Sequence, residues 1–347
     1  MRTLADVEKT PLAEYVQRLR PFLPDEAFAP CPRKLLRQVF HFFVLFSAYV
    51  VIRLTDHWSI LSLCSLVIGH SLACTGFFAH ELSHNTVFRN SRMRYLLEII
   101  CWGLNFVPPT VWNRVHNHTH HLHPNSLNDP DRRFLTSEAR RITRWYSQIF
   151  YPNNRSSKWN FIVGFHFWPY ILRNTVASFY PDKSKPILVP AKPVYTRQER
   201  LIVAQEIVAI VIFECVIFYF VGANFKRFAF ATLLPMLITS SIVMSYIFTN
   251  HFLNPVSMNS DPLVNTTSVV VHPIFDWLHL NFSYHTEHHL FPGMNSDYYP
   301  KVSCLLMQDY ENRYNRIRFA DAWNRLWKMK IYEANDTKSY TVPLGQA

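Results

Sequence analysis

WSILSLCSLVIGHSLACTGFFAHELSH, residues 58–84, is a long, mostly apolar run that ends in two histidines four residues apart. As a helix, Trp58–Ala79 is long enough to cross the roughly 30 Å hydrocarbon layer of a bilayer. The pentapeptide that follows, HELSH at residues 80–84, fits the HExxH pattern, in which two histidines on one helix face bind zinc and the glutamate activates water. Taken alone it suggests hydrolysis. The surrounding chain decides between that and another use of the histidines.

Three more apolar runs reach spanning length, Arg37–Leu54, Leu201–Gly222 and Phe228–Thr249. The hydrophobic share of 49% is ordinary for a soluble protein, so the gathering of apolar residues into blocks, not their amount, points to a membrane protein. Short turns at Thr55–Asp56 and Ala223–Arg227 join the runs into two hairpins. Tyr95–Trp112 and Trp159–Phe179 are broken by prolines or charges and read as interfacial helices. The expected fold is an all-α integral membrane protein, with four transmembrane helices in two hairpins and a cytoplasmic helical cap carrying the histidines. Residues 1–36 form an N-terminal segment, 37–310 the membrane domain and 311–347 a C-terminal tail in this reading.

Net charge is +11, and arginines such as Arg89, Arg92, Arg94, Arg140, Arg141 and Arg144 crowd the segment between the hairpins. The positive-inside rule then places that segment, the histidines and both termini in the cytoplasm. Basic residues beside membrane runs, with no binding module, argue against nucleic acid. The six cysteines, Cys31, Cys64, Cys74, Cys101, Cys215 and Cys304, lack CxxC spacing and read as reduced packing residues. No cleavable leader pattern opens the chain, so the first span is expected to be retained.

Seventeen histidines concentrate in HELSH, in HNHTHH at 116–121 and in HTEHH at 285–289, with His251 directly after the fourth run. Two spans separate the first two groups from the last, so all lie on one side of the membrane. Helical spacing sets His80 beside His84 and His116 beside His120, turns His121 by about 100° from His120, and gathers His285, His288 and His289 over one face. Nine imidazoles exceed the coordination of one ion and suit two. Imidazole binds zinc, copper, iron or nickel, so the ligand type leaves the metal open.

In this order the three motifs, with Leu290-Phe291-Pro292 after the last, resemble the HxxxH, HxxxHH and HxxHH boxes of the membrane fatty acid desaturase and hydroxylase superfamily. The resemblance covers about Phe40 to Lys301. The stretch HHLHPNSLNDPD, His120–Asp131, is similar to acyl-lipid desaturases, as is HHLFPGM, His288–Met294; HELSHN is similar to sphingolipid desaturases. The resemblance implies a centre of two iron ions that activates dioxygen, with a membrane lipid or acyl substrate and an external electron donor, ferredoxin or cytochrome b5. It implies the metal ligands His80, His84, His116, His120, His121, His251, His285, His288 and His289. Some relatives carry an asparagine four residues before the histidine at 251; here that residue is Ile247, leaving Asn250 or Asn281 as substitutes. No fused cytochrome b5 domain accompanies the boxes, so the reductant is expected to be another protein.

Glu81, Asn117, Asn125, Asp129, Asp131 and Glu287 are candidates for orienting ligand imidazoles. Arg114, Arg132 and Arg133 are candidates for a substrate head group, against the plainer reading of solvated charges. His118 and His123 leave the register of the second box open. His41, His57, His70, His166, His272 and His279 read as packing or interfacial residues. His70, about 15 Å along the helix from His80, is beyond shared coordination with it. Rival functions are a hydroxylase or ketolase acting on lipids, sphingolipids or carotenoids, a zinc peptidase using Glu81, and a metal or haem carrier. The peptidase and carrier leave most of the histidines without a role.

Overall fold

The computed structural model describes residues 12–126, 129–130, 135–136, 141–164, 166–180, 194–254, 261–329 and 333–334. The chain opens with α1 (Leu12–Leu19), then α2 (Lys34–Leu54) and α3 (Trp58–Ser83), which form the first hairpin. The shorter α4 (Ser91–Gly103) and α5 (Pro109–Trp112) follow, then a π-helical segment at Asn113–His120. After β1 (Leu135–Thr136) come α6 (Arg141–Phe150), α7 (Lys158–Val163) and α8 (Phe167–Ser178).

The second hairpin pairs α9 (Arg197–Phe220) with the helical run Phe225–Phe252, made of α10 (Phe225–Phe228), a π turn, α11 (Leu234–Ile247) and a second π turn at Phe248–Phe252. The remaining elements are α12 (Pro262–Asn265), β2 (Ser268–Val270), α13 (Pro273–Leu278), α14 (His285–Leu290), α15 (Tyr299–Asp309), β3 (Arg316–Arg318), α16 (Phe319–Lys328) and β4 (Glu333–Ala334).

Among the described residues, four helices are long and apolar enough to cross a membrane: α2, α3, α9 and the run Phe225–Phe252. They coincide with the four apolar runs of the sequence. The helix α3 extends past Ala79 through Ser83, so the first histidine pair is a continuation of a span rather than a separate element. Phe40, Phe43 and Phe46 of α2, and Val208, Val211 and Val216 of α9, are exposed. Large apolar side chains facing outward are what a helix surrounded by lipid requires.

The centre of the bundle is α3: 67% of its apolar window is buried, against 28%, 22% and 39% for the other three spans. It can sit there because Gly69 lets α11 come close. A Cβ at Gly69 would meet Ile238 Cβ at 2.6 Å and the Pro235 carbonyl at 2.9 Å, and Thr239 Oγ1 donates to the Gly69 carbonyl at 2.8 Å. Small residues at such crossings let backbones pack where lipid offers no hydrophobic drive. The turn between α9 and α10 uses Gly222 at φ +94°, a conformation that costs glycine little.

The interrupted segments are not spans. The α4 helix ends at Gly103, and the chain re-enters a helix at Pro109, where Pro108-Pro109 breaks the regular backbone. The all-helical expectation holds, and among the described residues the sheet is confined to two short parallel strand pairs, β1 with β4 and β2 with β3. Residues 311–329, expected within a tail, are packed. Ala322 and Leu326 of α16 are buried in a core with Tyr246 and Phe248 of the last span. At the other end, Tyr15 and Leu19 of α1 pack with Leu290, Phe291 and Tyr299, and the Tyr15 hydroxyl donates to Asp261 Oδ2 at 3.1 Å.

Gly69→Val should force α3 and α11 apart. Overpacking of this kind costs about 1–3 kcal/mol, so a clear fall in melting temperature of the detergent-purified protein is expected, measured by tryptophan fluorescence on heating.

Candidate metal centre

The last turn of α3 places His80 and His84 one turn apart, with ring centroids at 4.7 Å. The helix stops at Asn85, which takes φ +62°. There Thr86 donates its amide and hydroxyl to the Glu81 carbonyl at 3.3 and 2.9 Å. Glu81 does not orient an imidazole. Its carboxylate forms a buried ion pair with Lys34 Nζ and accepts the Thr86 hydroxyl at 3.0 Å, while Lys34 also donates to Ser296 Oγ at 2.8 Å. A carboxylate held in this way by an ammonium is poorly suited to act as a base on water, so the peptidase reading of HELSH loses its catalytic group.

The second box is a π-helix, with the amide of His121 donating to the carbonyl of His116 five residues back at 3.1 Å. In an α-helix His121 would lie about 140° from His116. The wider π turn brings His120 and His121 to either side of His116, with ring centroids 5.1 and 4.8 Å from it. Such π segments recur at functional sites. The expectation that His116 and His120 share one face, with His121 turned away, is corrected: His116 and His121 share a group and His120 joins the other. His118 and His123 are exposed and join neither histidine group, which fixes the register of this box.

The nine histidines converge as two groups. His80, His84, His116, His121 and His288 form one; His120, His251, His285 and His289 form the other, and within each group the ligand atoms lie within 4.8 Å of one another. Box three is therefore divided rather than gathered over one face. His285 and His289, four apart on α14, belong to the second group, and His288 turns to the first. The groups adjoin: His121 and His289 have centroids 4.6 Å apart, and His116 and His120 5.1 Å.

Within them, ring nitrogens face each other. Nε2–Nε2 separations are 3.0 Å for His80–His116, 3.1 Å for His121–His288, 2.6 Å for His251–His285 and 3.2 Å for His285–His289. A neutral imidazole has one N–H and one lone pair. His120 Nδ1 donates to Asp129 Oδ1 at 2.9 Å, which leaves its Nε2 as a lone pair. His84 Nε2 is buried with no hydrogen-bond partner. Lone pairs crowded in this way fit two cations placed among them, and a set made wholly of imidazole suits iron, zinc or copper.

Electrostatics favour the same form. Burial first, and the neighbouring imidazoles second, hold His116, His121, His285, His288 and His289 well below the ordinary imidazole range, with His84 lowered to about 3. Neutral histidines are the metal-binding form.

The supporting residues differ in part from those expected. Asp129 holds His120 and accepts the Asn125 amide at 2.7 Å. Asn125 Nδ2 donates at 2.9 Å to the carbonyls of both His251 and Asn265, tying box two to the end of the last span. Glu287 accepts from Ser268 Oγ at 2.5 Å and from the Tyr314 hydroxyl, and so anchors α14 rather than a ring. Asn117 donates to the Ser83 carbonyl at 3.0 Å and to Asn113 Oδ1 at 2.8 Å, again not to an imidazole. Asn250 is buried with both amide atoms unpartnered, whereas Asn281 donates to the Ser296 carbonyl at 3.0 Å. Arg114 is taken up by Glu199, in the first turn of α9. Asp131, Arg132 and Arg133 lie outside the described residues.

Two contacts were not foreseen. The Tyr299 hydroxyl meets His288 Nδ1 at 3.1 Å, and Trp112 stacks on His116 with centroids 4.6 Å apart. Neither partner carries a motif; Trp112 lies one helical turn before His116, a spacing that could have pointed to it, and Tyr299 follows α14 after a short turn.

Beside the first group lies an apolar cavity whose wall includes His80 and His116 together with Phe77, Trp102, Trp112, Phe167, Val243 and Met244. The family model for fatty acid desaturase matches residues 56–320, which include all three histidine motifs and His251. The chain belongs to the fatty acid desaturase family. Membership makes this an oxidoreductase of the desaturase kind, with a lipid substrate and metal-binding histidine boxes, in a multi-pass membrane scaffold.

Asp129→Asn should lower metal affinity about 10–100-fold, the usual effect of losing a carboxylate behind a ligand histidine; metal content after dialysis against a chelator measures it. Acid should also weaken the site. Unfolded histidine takes a proton below its ordinary value of 6.5, whereas folded His84 resists until about 3, so stability is full above 6.5 and falls as pH drops through that window. Melting temperature of the metal-free protein, followed from pH 7 downward, is expected to decline.

Proposed function

We propose that this protein desaturates a long acyl chain, using two iron ions held by the nine histidines and electrons from ferredoxin or cytochrome b5. The observation that carries the reading is the apolar cavity sharing His80 and His116 with the first histidine group. Irons bound there would supply the oxidising power to break an unactivated C–H bond with dioxygen. Desaturation removes two hydrogens from adjacent methylenes and, with two external electrons and two protons, reduces one dioxygen to two waters.

The chain's own residues prepare for this. Phe77, Trp102, Phe167, Val243 and Met244 offer the substrate a dry wall that keeps bulk water from the reacting carbons. Trp112, stacked on His116, keeps that ring from swinging into the cavity. Asp129 fixes the tautomer of His120 so that it presents an open nitrogen, and Tyr299 holds the His288 ring in place. A chain held straight along the cavity would pass its methylenes beside the first group. The basic segment between the hairpins supports a cytoplasmic face for the centre, where a soluble or anchored electron donor can reach it.

His120→Ala and His288→Ala each remove a ligand from a different group. Both variants should insert in the membrane yet form no new double bonds, as read by mass spectrometry of acyl chains, sphingoid bases and pigments from an expressing host. Products that gain an oxygen, instead of losing two hydrogens, would assign hydroxylation. Unchanged lipids in wild type and both variants would remove the acyl desaturase reading.

A further inference from the structure

A third cluster of metal-ligating side chains lies apart from the nine histidines. His70 and Cys74 are four residues apart on α3, and His279 directly follows α13. His279 Nε2 stands 3.3 Å from His70 Nε2, and Cys74 Sγ lies 3.9 and 4.0 Å from the two ring nitrogens of His70. One ligand atom from each of the three falls within 4.8 Å of the others, and Cys74 and His279 are buried. Two imidazole nitrogens about 2.0 Å from a tetrahedral ion stand about 3.3 Å apart, and a thiolate at about 2.3 Å stands a few tenths of an ångström farther from each. The imidazole pair stands at that spacing, and the sulfur lies about half an ångström outside it, within reach of a small rotation about the Cys74 Cα–Cβ bond.

Cysteine packing explains none of the polar partners. Two imidazoles facing across 3.3 Å near the middle of a membrane helix are costly groups to keep in an apolar setting without a purpose. The His279 ring is also held from behind: its Nδ1 meets the Tyr246 hydroxyl at 2.9 Å, the arrangement by which a ligand histidine is commonly steered. Leu280 and Asn281, immediately after it, both take left-handed φ angles of 54° and 59°. The backbone is thus bent sharply between His279 and box three.

We propose that His70, Cys74 and His279 form a third metal site that takes one thiophilic late transition ion, zinc or copper, distinct from the pair held by the histidine boxes. Two imidazoles and a thiolate select these softer ions over magnesium, calcium or manganese. Binding of a divalent ion forms one M–S and two M–N bonds and releases the Cys74 proton. The ion clasps the segment that leads into HTEHH to the helix that carries HELSH. A small cavity lined by Phe77, His279, His80 and His288 lies between clasp and centre, so loss of the clasp loosens the relation of box one to box three.

The full-length protein, stripped of metal in detergent and titrated with Co²⁺, tests this directly. Histidine-bound cobalt gives no thiolate-to-metal charge transfer, so the all-histidine centre is silent in that near-ultraviolet band. The wild-type protein should develop the band at the stoichiometry of one thiolate site. Cys74→Ser should abolish it, while Cys64→Ser and Cys101→Ser keep it. Zn²⁺ or Cu⁺ added afterwards should displace the band, and the ion that does so at the lower concentration names the preferred occupant. Absence of the band in wild type, or its survival in Cys74→Ser, overturns the proposal. Should Cys74→Ser fail to fold, His279→Gln serves in its place, with at least a tenfold weaker cobalt affinity expected and an unchanged affinity counting against the site.

Discussion

Everything in this fold answers to the crowding of imidazoles. Nine of them are brought together in two adjoining groups, and their nitrogens approach as closely as 2.6 Å. Such nitrogens need cations between them or a surrounding structure that restrains each ring. The restraint is visible behind several of them: Asp129 at His120, Tyr299 at His288, the Trp112 indole against His116. Asp129 and Trp112 are close in sequence to the rings they hold, whereas Tyr299 is set against His288 by the turn after α14, so the site rests on local and tertiary structure together.

The supports in turn depend on distant ties. Lys34 at the start of the first span neutralises Glu81 inside HELSH, and Asn125 joins box two to the carbonyl of His251. Breaking a buried pair such as Lys34–Glu81 by removing one partner leaves an uncompensated charge, commonly worth about 3–5 kcal/mol. The glutamate that makes HELSH look hydrolytic therefore serves architecture. It locks the end of one span to the beginning of another.

The spans and the meeting of the motifs were legible in the sequence because both follow from simple counting. Four apolar runs of bilayer length put an even number of crossings between HELSH and HTEHH, and parity alone sends both to one side. The pairing of His80 with His84 was legible too, since an ordinary α-helix carries them. What escaped was the division of boxes two and three between two groups. For box two it depends on the π-helical widening at Asn113–His120, which local propensity does not announce; for box three it depends on which neighbours meet His288 and which meet His285 and His289, and only the tertiary structure sets those. The roles of Glu81 and Glu287 escaped for a related reason: each sits one residue from a ligand, but its partners come from Lys34, Ser268 and Tyr314, far away along the chain.

The place of Tyr314 has a consequence for biogenesis. Its hydroxyl secures Glu287 and, with β3 beside β2, completes the seat of HTEHH. A nascent polypeptide emerging from the ribosome can thread all four hydrophobic segments into the bilayer before that seat exists. The histidines of HTEHH therefore reach their final positions only after the segment through β3 has been made, later than the last span.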